Sequence, residues 1–351
     1  MIYFEVVIIA FVFTTILMIG FMFLYLSNKK KKDGRYKKWK SQADILIRNA
    51  IFSDQINGVK PIPLTMRTAK MLPNANFRSI LIEQLLSAKK NISGTAADNL
   101  ESLYNQLSLD QYAAKRLKSR HWHVKAIAIQ ELGLMGQKTY LNKIYRSTNN
   151  KNDLVRMEAQ ITIVKLYGFE GLRFLDVANY AISEWQQIKL LQELSHLSPD
   201  NFSGIEKWLN SINVSVVVFA LKLVRNYHRF ELYNQIMDLI THPDENIRFE
   251  AIRTSEKIYT ADTSKLLLER YPHETLKNRI AIVKGIQNIG YHDDIPLLIE
   301  FLEDDDNELK RHIVRTIANI SPDGLTQLEN ISASNRYPLN LIIDQIRGEI
   351  I

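Results

Sequence analysis

The sequence predicts an all-α chain in which a repeat of stacked helix pairs follows one N-terminal transmembrane helix. Three observations predict it. Glycine (13) and proline (9) are scarce in 351 residues, which favours helices joined by short turns over a strand-rich fold. Aliphatic anchors recur at intervals near thirty residues through the C-terminal two thirds. The first 26 residues are apolar almost without a break.

The apolar run spans 2–26 and carries a single charge, Glu5. About 20 apolar residues suffice to cross a hydrocarbon core. No basic residue precedes the run, and no small-residue cleavage site follows it, so it does not read as a secretory signal peptide. Eight basic residues follow closely: Lys29, Lys30, Lys31, Lys32, Arg35, Lys37, Lys38 and Lys40. The positive-inside rule then places everything after the run in the cytoplasm. The expectation is a single-pass inner-membrane protein with its N-terminus outside. Residues 27–40 read as a basic juxtamembrane linker, and those eight side chains as contacts for anionic lipid headgroups.

Charge is distributed unevenly beyond that segment. The chain carries +7 overall, yet residues 152–351 hold 21 basic and 29 acidic groups, a net of −8. An acidic distal half suits a partner with a basic surface. It also speaks against nucleic acid, because phosphate binding needs a basic track. The absence of cysteine excludes disulfides, thiolate nucleophiles and zinc–thiolate sites.

Seven stretches align on one pattern, with anchors Val124, Val155, Ile188, Val216, Ile247, Leu276 and Leu309. In six of them the next residue is basic: Lys125, Arg156, Lys189, Arg248, Lys277 and Lys310. Alanine stands four residues after the anchor at Ala128, Ala159, Ala220 and Ala251. Acids or amides precede several anchors, as at Asp153, Asp244 and Asp304–Asp306, where they favour a helix start. A second amphipathic segment lies between successive anchors, some opening on start signals such as Asp293-Asp-Ile-Pro296 and Ser203-Gly-Ile-Glu206. One helix pair cannot bury its apolar stripe alone, whereas stacked neighbours share a continuous core and leave an extended surface.

The motif D-x-x-V-R-x-x-A stands nearly literally in Asp153-Leu-Val155-Arg156-Met-Glu-Ala159 and in Glu245-Asn-Ile247-Arg248-Phe-Glu-Ala251. On these residues the chain resembles the HEAT-repeat family, in its short bacterial form, over roughly residues 119–335. The resemblance implies a right-handed α-solenoid and a bridging role between neighbouring repeats for the row of basic residues. The third and fourth repeats depart from the motif at Gln192 and Val217. Residues 41–118 read as a helical N-terminal cap with degenerate repeats, with Ser41-Gln-Ala-Asp44 and Thr95-Ala-Ala-Asp98 as helix starts. Residues 336–351 read as a closing helix.

No phosphate loop, nucleophile elbow or H-E-x-x-H motif is present. His121 and His123 stand two apart and so point away from each other on a helix, which argues against a shared metal. The expectation is therefore a membrane-anchored scaffold or adaptor, not an enzyme, with no cofactor or metal, holding a protein partner at the cytoplasmic face. An envelope or polysaccharide-synthesis assembly is one setting for it. Candidate partner-binding residues are Arg120, His121, Trp122, Lys125, Arg156, Trp185, Lys189, Trp208, Arg248, Lys277 and Lys310. They combine the basic row with exposed-aromatic candidates of the kind that dominate interfaces. The alternatives are a nucleic-acid-binding HEAT-like protein, and a HEAT-like lyase or chaperone.

Overall fold

A computed structural model describes residues 2–53, 61–197, 204–332 and 337–350, and for residues 2–10, 12, 331, 332 and 350 the backbone alone. Ser203, the first residue of one expected helix start, lies outside them. All regular structure among the described residues is helical. The chain divides into two compact units, 1–166 and 167–351.

The first unit opens on α1 (Ile2–Ile51), which runs unbroken through the apolar stretch, the basic stretch 27–40 and the first core segment. Its side chains from Phe13 to Tyr25 are exposed on every side, while Ala43, Leu46, Ile47 and Ala50 are buried near its end. Among the described residues no helix is long and apolar enough to cross a membrane. That finding corrects the expected transmembrane helix and the single-pass inner-membrane placement built on it. The side chains of residues 2–10 and 12 lie outside the described residues.

Five further helices follow: α2 (Met66–Met71), α3 (Ala75–Asn91), α4 (Thr95–Gln106), α5 (Leu109–Leu117) and α6 (Trp122–Leu134). Then come α7 (Leu141–Tyr145) and α8 (Asp153–Tyr167). Phe77, Leu81, Leu85, Leu100, Leu103 and Tyr104 close one core with the end of α1. Ala128, Ile129, Leu132, Val155, Ala159 and Ile163 close the next. Two expected helix starts fall differently: Ser41 lies within α1, and α4 starts after Gly94, whose φ of +68° suits glycine.

In the second unit a 3₁₀ stretch, Gly168–Val177, precedes α9 (Glu184–Leu194). Short and long helices then alternate: α10 (Ile205–Leu209) with α11 (Val214–Asn226), α12 (Tyr233–Leu239) with α13 (Glu245–Ser255), α14 (Thr263–Arg270) with α15 (Leu276–Ile289), and α16 (Ile295–Glu300) with α17 (Asn307–Ile320). The helices α18 (Gly324–Ser332) and α19 (Leu339–Ile350) complete the chain. The second helices pack in succession, α11 on α13, α13 on α15, α15 on α17 and α17 on α19. The expected repeat of helix pairs is therefore present in this unit.

Side-chain burial corrects the register at two anchors. Leu276 is 45% exposed and Ile188 is 60% exposed. The buried positions are Asn278 in α15 and Gln186 with Gln187 in α9. Asn278 donates to Glu274 at 2.6 Å, so an amide occupies a slot that is aliphatic elsewhere. A search for apolar residues slides to Leu276 for that reason. With Asn278 in place, Val216, Ile247, Asn278 and Leu309 stand 31 residues apart throughout.

A polar bond accompanies the stacking. Seven residues past the anchor, a buried threonine donates to a carbonyl 33 residues earlier: Thr162 to Ile129 at 3.5 Å, Thr254 to Leu221 at 3.2 Å and Thr316 to Val283 at 3.0 Å. The buried hydroxyls of Thr162 and Thr316 are satisfied across the seam between consecutive second helices, whereas that of Thr254 is shared with the nearer Glu250 carbonyl of its own helix at 2.8 Å.

Candidate functional site

The basic residue after the anchor is a structural device in the repeats that carry arginine. Arg156 donates to the carbonyl of Asn150 at 2.7 Å, and Arg248 to those of His242 and Pro243 at 2.9 and 3.0 Å. Each reaches back over the turn that leads into its own helix. Arg248 also meets the buried carboxylate of Glu274 through both oxygens, at 2.9 and 3.0 Å. In the next repeat the equivalent residue is Arg279, which donates to Pro272 and Asp304. Lys277 is displaced from this row by the register correction. The same device occurs in the N-terminal region, where Arg78 follows buried Phe77 and donates to Leu72 and Pro73 at 2.8 and 2.7 Å. Asn74-Ala-Asn-Phe77-Arg78 is thus a repeat entrance that the sequence reading missed, because asparagine replaces the acid and phenylalanine the aliphatic anchor.

The other expected site residues scatter. Arg120, His121 and Trp122 are exposed at the start of α6, with the Trp122 ring edge-on to His123. Lys125 is half-buried in the same helix. Trp185 is 53% exposed, and the Lys189 ammonium stands 5.5 Å from its ring centre. Trp208 is buried and donates its indole N–H to Asp176 at 2.8 Å, so it offers no surface to a partner. Lys310 is half-buried at the head of α17. The eight basic side chains of 29–40 are all exposed along α1.

A second basic row emerges from the corrected register. Six residues past the anchor stand Lys222, Arg253, Lys284 and Arg315, again 31 apart, on α11, α13, α15 and α17. Arg253 and Lys284 are exposed, and Lys222 and Arg315 are half-buried. Between α13 and α15 the row borders a hollow of about 380 Å³ lined by Phe249, Arg253, Glu256, Lys277, Ile280, Ala281 and Lys284. The Lys277 ammonium sits 4.1 Å from the Phe249 ring centre, and the Arg253 guanidinium lies 5.8 Å from it. An aromatic face holding two cations is a favourable arrangement.

The electrostatics of this face are coupled across helices. Burial pushes the Glu256 carboxyl up, against the pull of Arg253, Arg225 and Lys257. Gly285 leaves room beside that carboxyl, since a Cβ there would stand 3.1 Å from the Glu256 side chain. Burial and the charge of Lys284 hold His312 below its ordinary value, with Arg311 and Arg315 adding to them and Glu308 opposing. One member of the row is offset by a carboxylate, Arg315 with Glu349, and beside the row Arg225 pairs with Glu250. Lys222 donates to the Gln187 amide at 2.8 Å.

No group of three or more His, Cys, Asp or Glu side chains among the described residues is placed to hold a metal ion. No family model matches the chain, and no curated protein matches it in sequence. Solved structures do match. E. coli YibA shares 14% identity over 74% of this chain and 99% of its own, with a TM-score of 0.41. The CpcE–CpcF complex of phycocyanin lyase from Nostoc sp. PCC7120 shares 12% over 85% and 99%, with a TM-score of 0.26. Human deoxyhypusine hydroxylase in complex with glycerol shares 12% over 81% and 97%, with a TM-score of 0.31. Two of these three are enzymes by name, so the expectation that this chain is not an enzyme finds no support in them. Their chemistry is said of them alone.

Proposed function

We propose that this chain is a helical-repeat adaptor that binds an acidic segment of a partner protein across α11, α13, α15 and α17. One observation carries the reading: four Lys or Arg side chains at 31-residue intervals, one per helix, beside a hollow floored by Phe249. Neighbouring helices pack roughly 8–10 Å apart. An extended peptide rises about 3.3 Å per residue, so acids three residues apart keep step with the row. The carboxylates Glu256 and Glu308 favour a peptide, whose acids can be spaced to avoid them, over nucleic acid, whose evenly spaced phosphates cannot. The net charge of residues 152–351 points to a basic partner. The sign of this face points the other way, and a partner meets a face, not a sum.

The test is fluorescence anisotropy on the full chain with three labelled probes. One is a twelve-residue peptide with Asp at every third position, one is the same peptide with Lys in place of Asp, and one is a single-stranded oligothymidylate of equal length. Salt-dependent binding of the acidic peptide, weakened about tenfold or more by Arg253→Glu with Lys284→Glu, supports the adaptor reading. Tighter binding of the oligothymidylate, or equal binding by wild type and the double variant, refutes it. Both substituted side chains are exposed, so neither change disturbs the core.

A further inference from the structure

A different cavity, in the first unit, breaks the regularity of the repeat. Seven residues past the anchor, where three other repeats place threonine, α6 carries Glu131. Its side chain is fully buried. It accepts from the Tyr104 hydroxyl at 2.7 Å and pairs with Arg116. Burial, and then the neighbouring carboxylate, push the Tyr104 hydroxyl well above its usual range, so it stays a donor. A buried ion pair is a weak source of stability, and a sequence that departs from its own repeat to install one marks a local function.

Glu131 and Arg116 line a groove of about 470 Å³ between α3, α5 and α6. That volume is in the range of small-molecule sites. Ile82, Leu86 and Ile127 give it apolar walls, and Ile127 is 51% exposed, a large aliphatic side chain left open to solvent. Tyr112 stands at the cationic end, with the Arg78 guanidinium 4.0 Å and the Lys115 ammonium 5.7 Å from its ring centre. Three cations, Arg78, Lys115 and Arg116, thus face the groove against Glu83 and Glu131. The charge of Glu131 is already matched by Arg116, and its other oxygen is held by Tyr104.

We propose that this groove binds a small amphiphile with one carboxylate: its apolar body lies along Ile82, Leu86 and Ile127, and its carboxylate meets Lys115 and Arg116. A carboxylate accepts from a guanidinium and an ammonium at once, and the apolar walls favour a body with no other charge. A cationic amphiphile of the same shape would place its charge in a groove that stays net positive, since Arg78 and Lys115 face only Glu83 once Arg116 is matched by Glu131. The site is independent of the basic row on α11–α17, which belongs to the other unit.

Isothermal titration of the full chain with 2-naphthoate, and with 2-naphthylmethylammonium as the charge-reversed probe, tests the assignment. Ile127→Glu and Lys115→Glu change exposed side chains and leave the Glu131 pair in place. The expected result is saturable binding of one naphthoate per chain, weakened about tenfold by each variant and unchanged by Arg253→Glu with Lys284→Glu. Absence of saturation overturns the assignment. Equal affinity in wild type and Ile127→Glu, or equal affinity for the ammonium probe, overturns it as well.

Discussion

Replacing Glu274 with alanine removes a junction between two repeats. The carboxylate has no exposed surface. It accepts from Arg248 on α13, from Arg270 at the end of α14 at 2.8 Å and from Asn278 on α15 at 2.6 Å. Burial pushes its pKa up, but the bonds from Asn278, Arg270 and Arg248 outweigh burial and hold it below the ordinary carboxylate value. Alanine takes an acceptor from the buried Asn278 amide and from two largely buried guanidiniums, of which Arg248 keeps the His242 and Pro243 carbonyls. Breaking such a pair costs about 3–5 kcal/mol. For a unit of this size each kcal/mol moves the melting point about 2–4 °C, so the expected drop is of order 10 °C. Circular dichroism at 222 nm on heating reads it. Glu308→Gln is the control, because Glu308 is 61% exposed and 3.8 Å from His312, and an exposed pair contributes at most about 1 kcal/mol. The sign of the pH dependence follows from the lowered pKa. The stabilisation is complete above the unfolded carboxylate value of about 4.3 and is lost as pH falls through the folded value. The difference between wild type and Glu274→Ala therefore narrows in acid. A variant that melts within about 2 °C of wild type at neutral pH would refute the account.

Three further outcomes follow from the same contacts. Thr254→Val and Thr316→Val keep shape and lose the bond to the preceding repeat, so each destabilises by about 1 kcal/mol in urea unfolding, and Thr162→Val by less because its bond is the longest. His312→Gln flattens the pH dependence of the urea midpoint: the wild-type unfolded imidazole takes a proton near 6.5 while the folded one resists it, so wild-type stability falls as pH drops below that value. Glu256→Gln raises the midpoint at neutral pH, where the charged carboxyl is disfavoured by burial. The gain fades as pH falls through the raised folded value towards the ordinary one, and affinity for the acidic peptide increases about two- to threefold.

The repeat was legible because stacking imposes one burial pattern at each pass. Val155, Val216, Ile247 and Leu309 were found as anchors and are buried, and Asp244 and Asp306 cap α13 and α17 as their positions suggest. The errors have a common cause. Asn278 and Gln187 are polar residues whose bonds let them occupy core slots, and hydropathy alone passes over such residues. Arg78 was missed because its turn is built with asparagine. The Glu131 groove left no signal of its own, since a single buried glutamate in a helix reads as one more solvated acid.

The charge row explains why the net charge of residues 152–351 and the sign of the proposed face point to different partners. In a repeat chain the acids have standing structural uses. Asp244 and Asp306 satisfy backbone N–H groups at helix starts, Asp294 holds the Tyr291 N–H, and Glu274 and Asp304 bridge to the arginines that follow the anchors. Those groups sit at turns and seams, where their partners already meet them. The cations six residues past the anchor have no such duty in every repeat: Arg253 and Lys284 stand on the surface beside Phe249. Summing a domain mixes the two populations and reports the larger. An arginine one position after the anchor holds the turn that leads into its own helix, as Arg156, Arg248 and Arg279 do. A basic residue six positions after the anchor belongs to the proposed face, and the two are separable in sequence only once the register is set by burial.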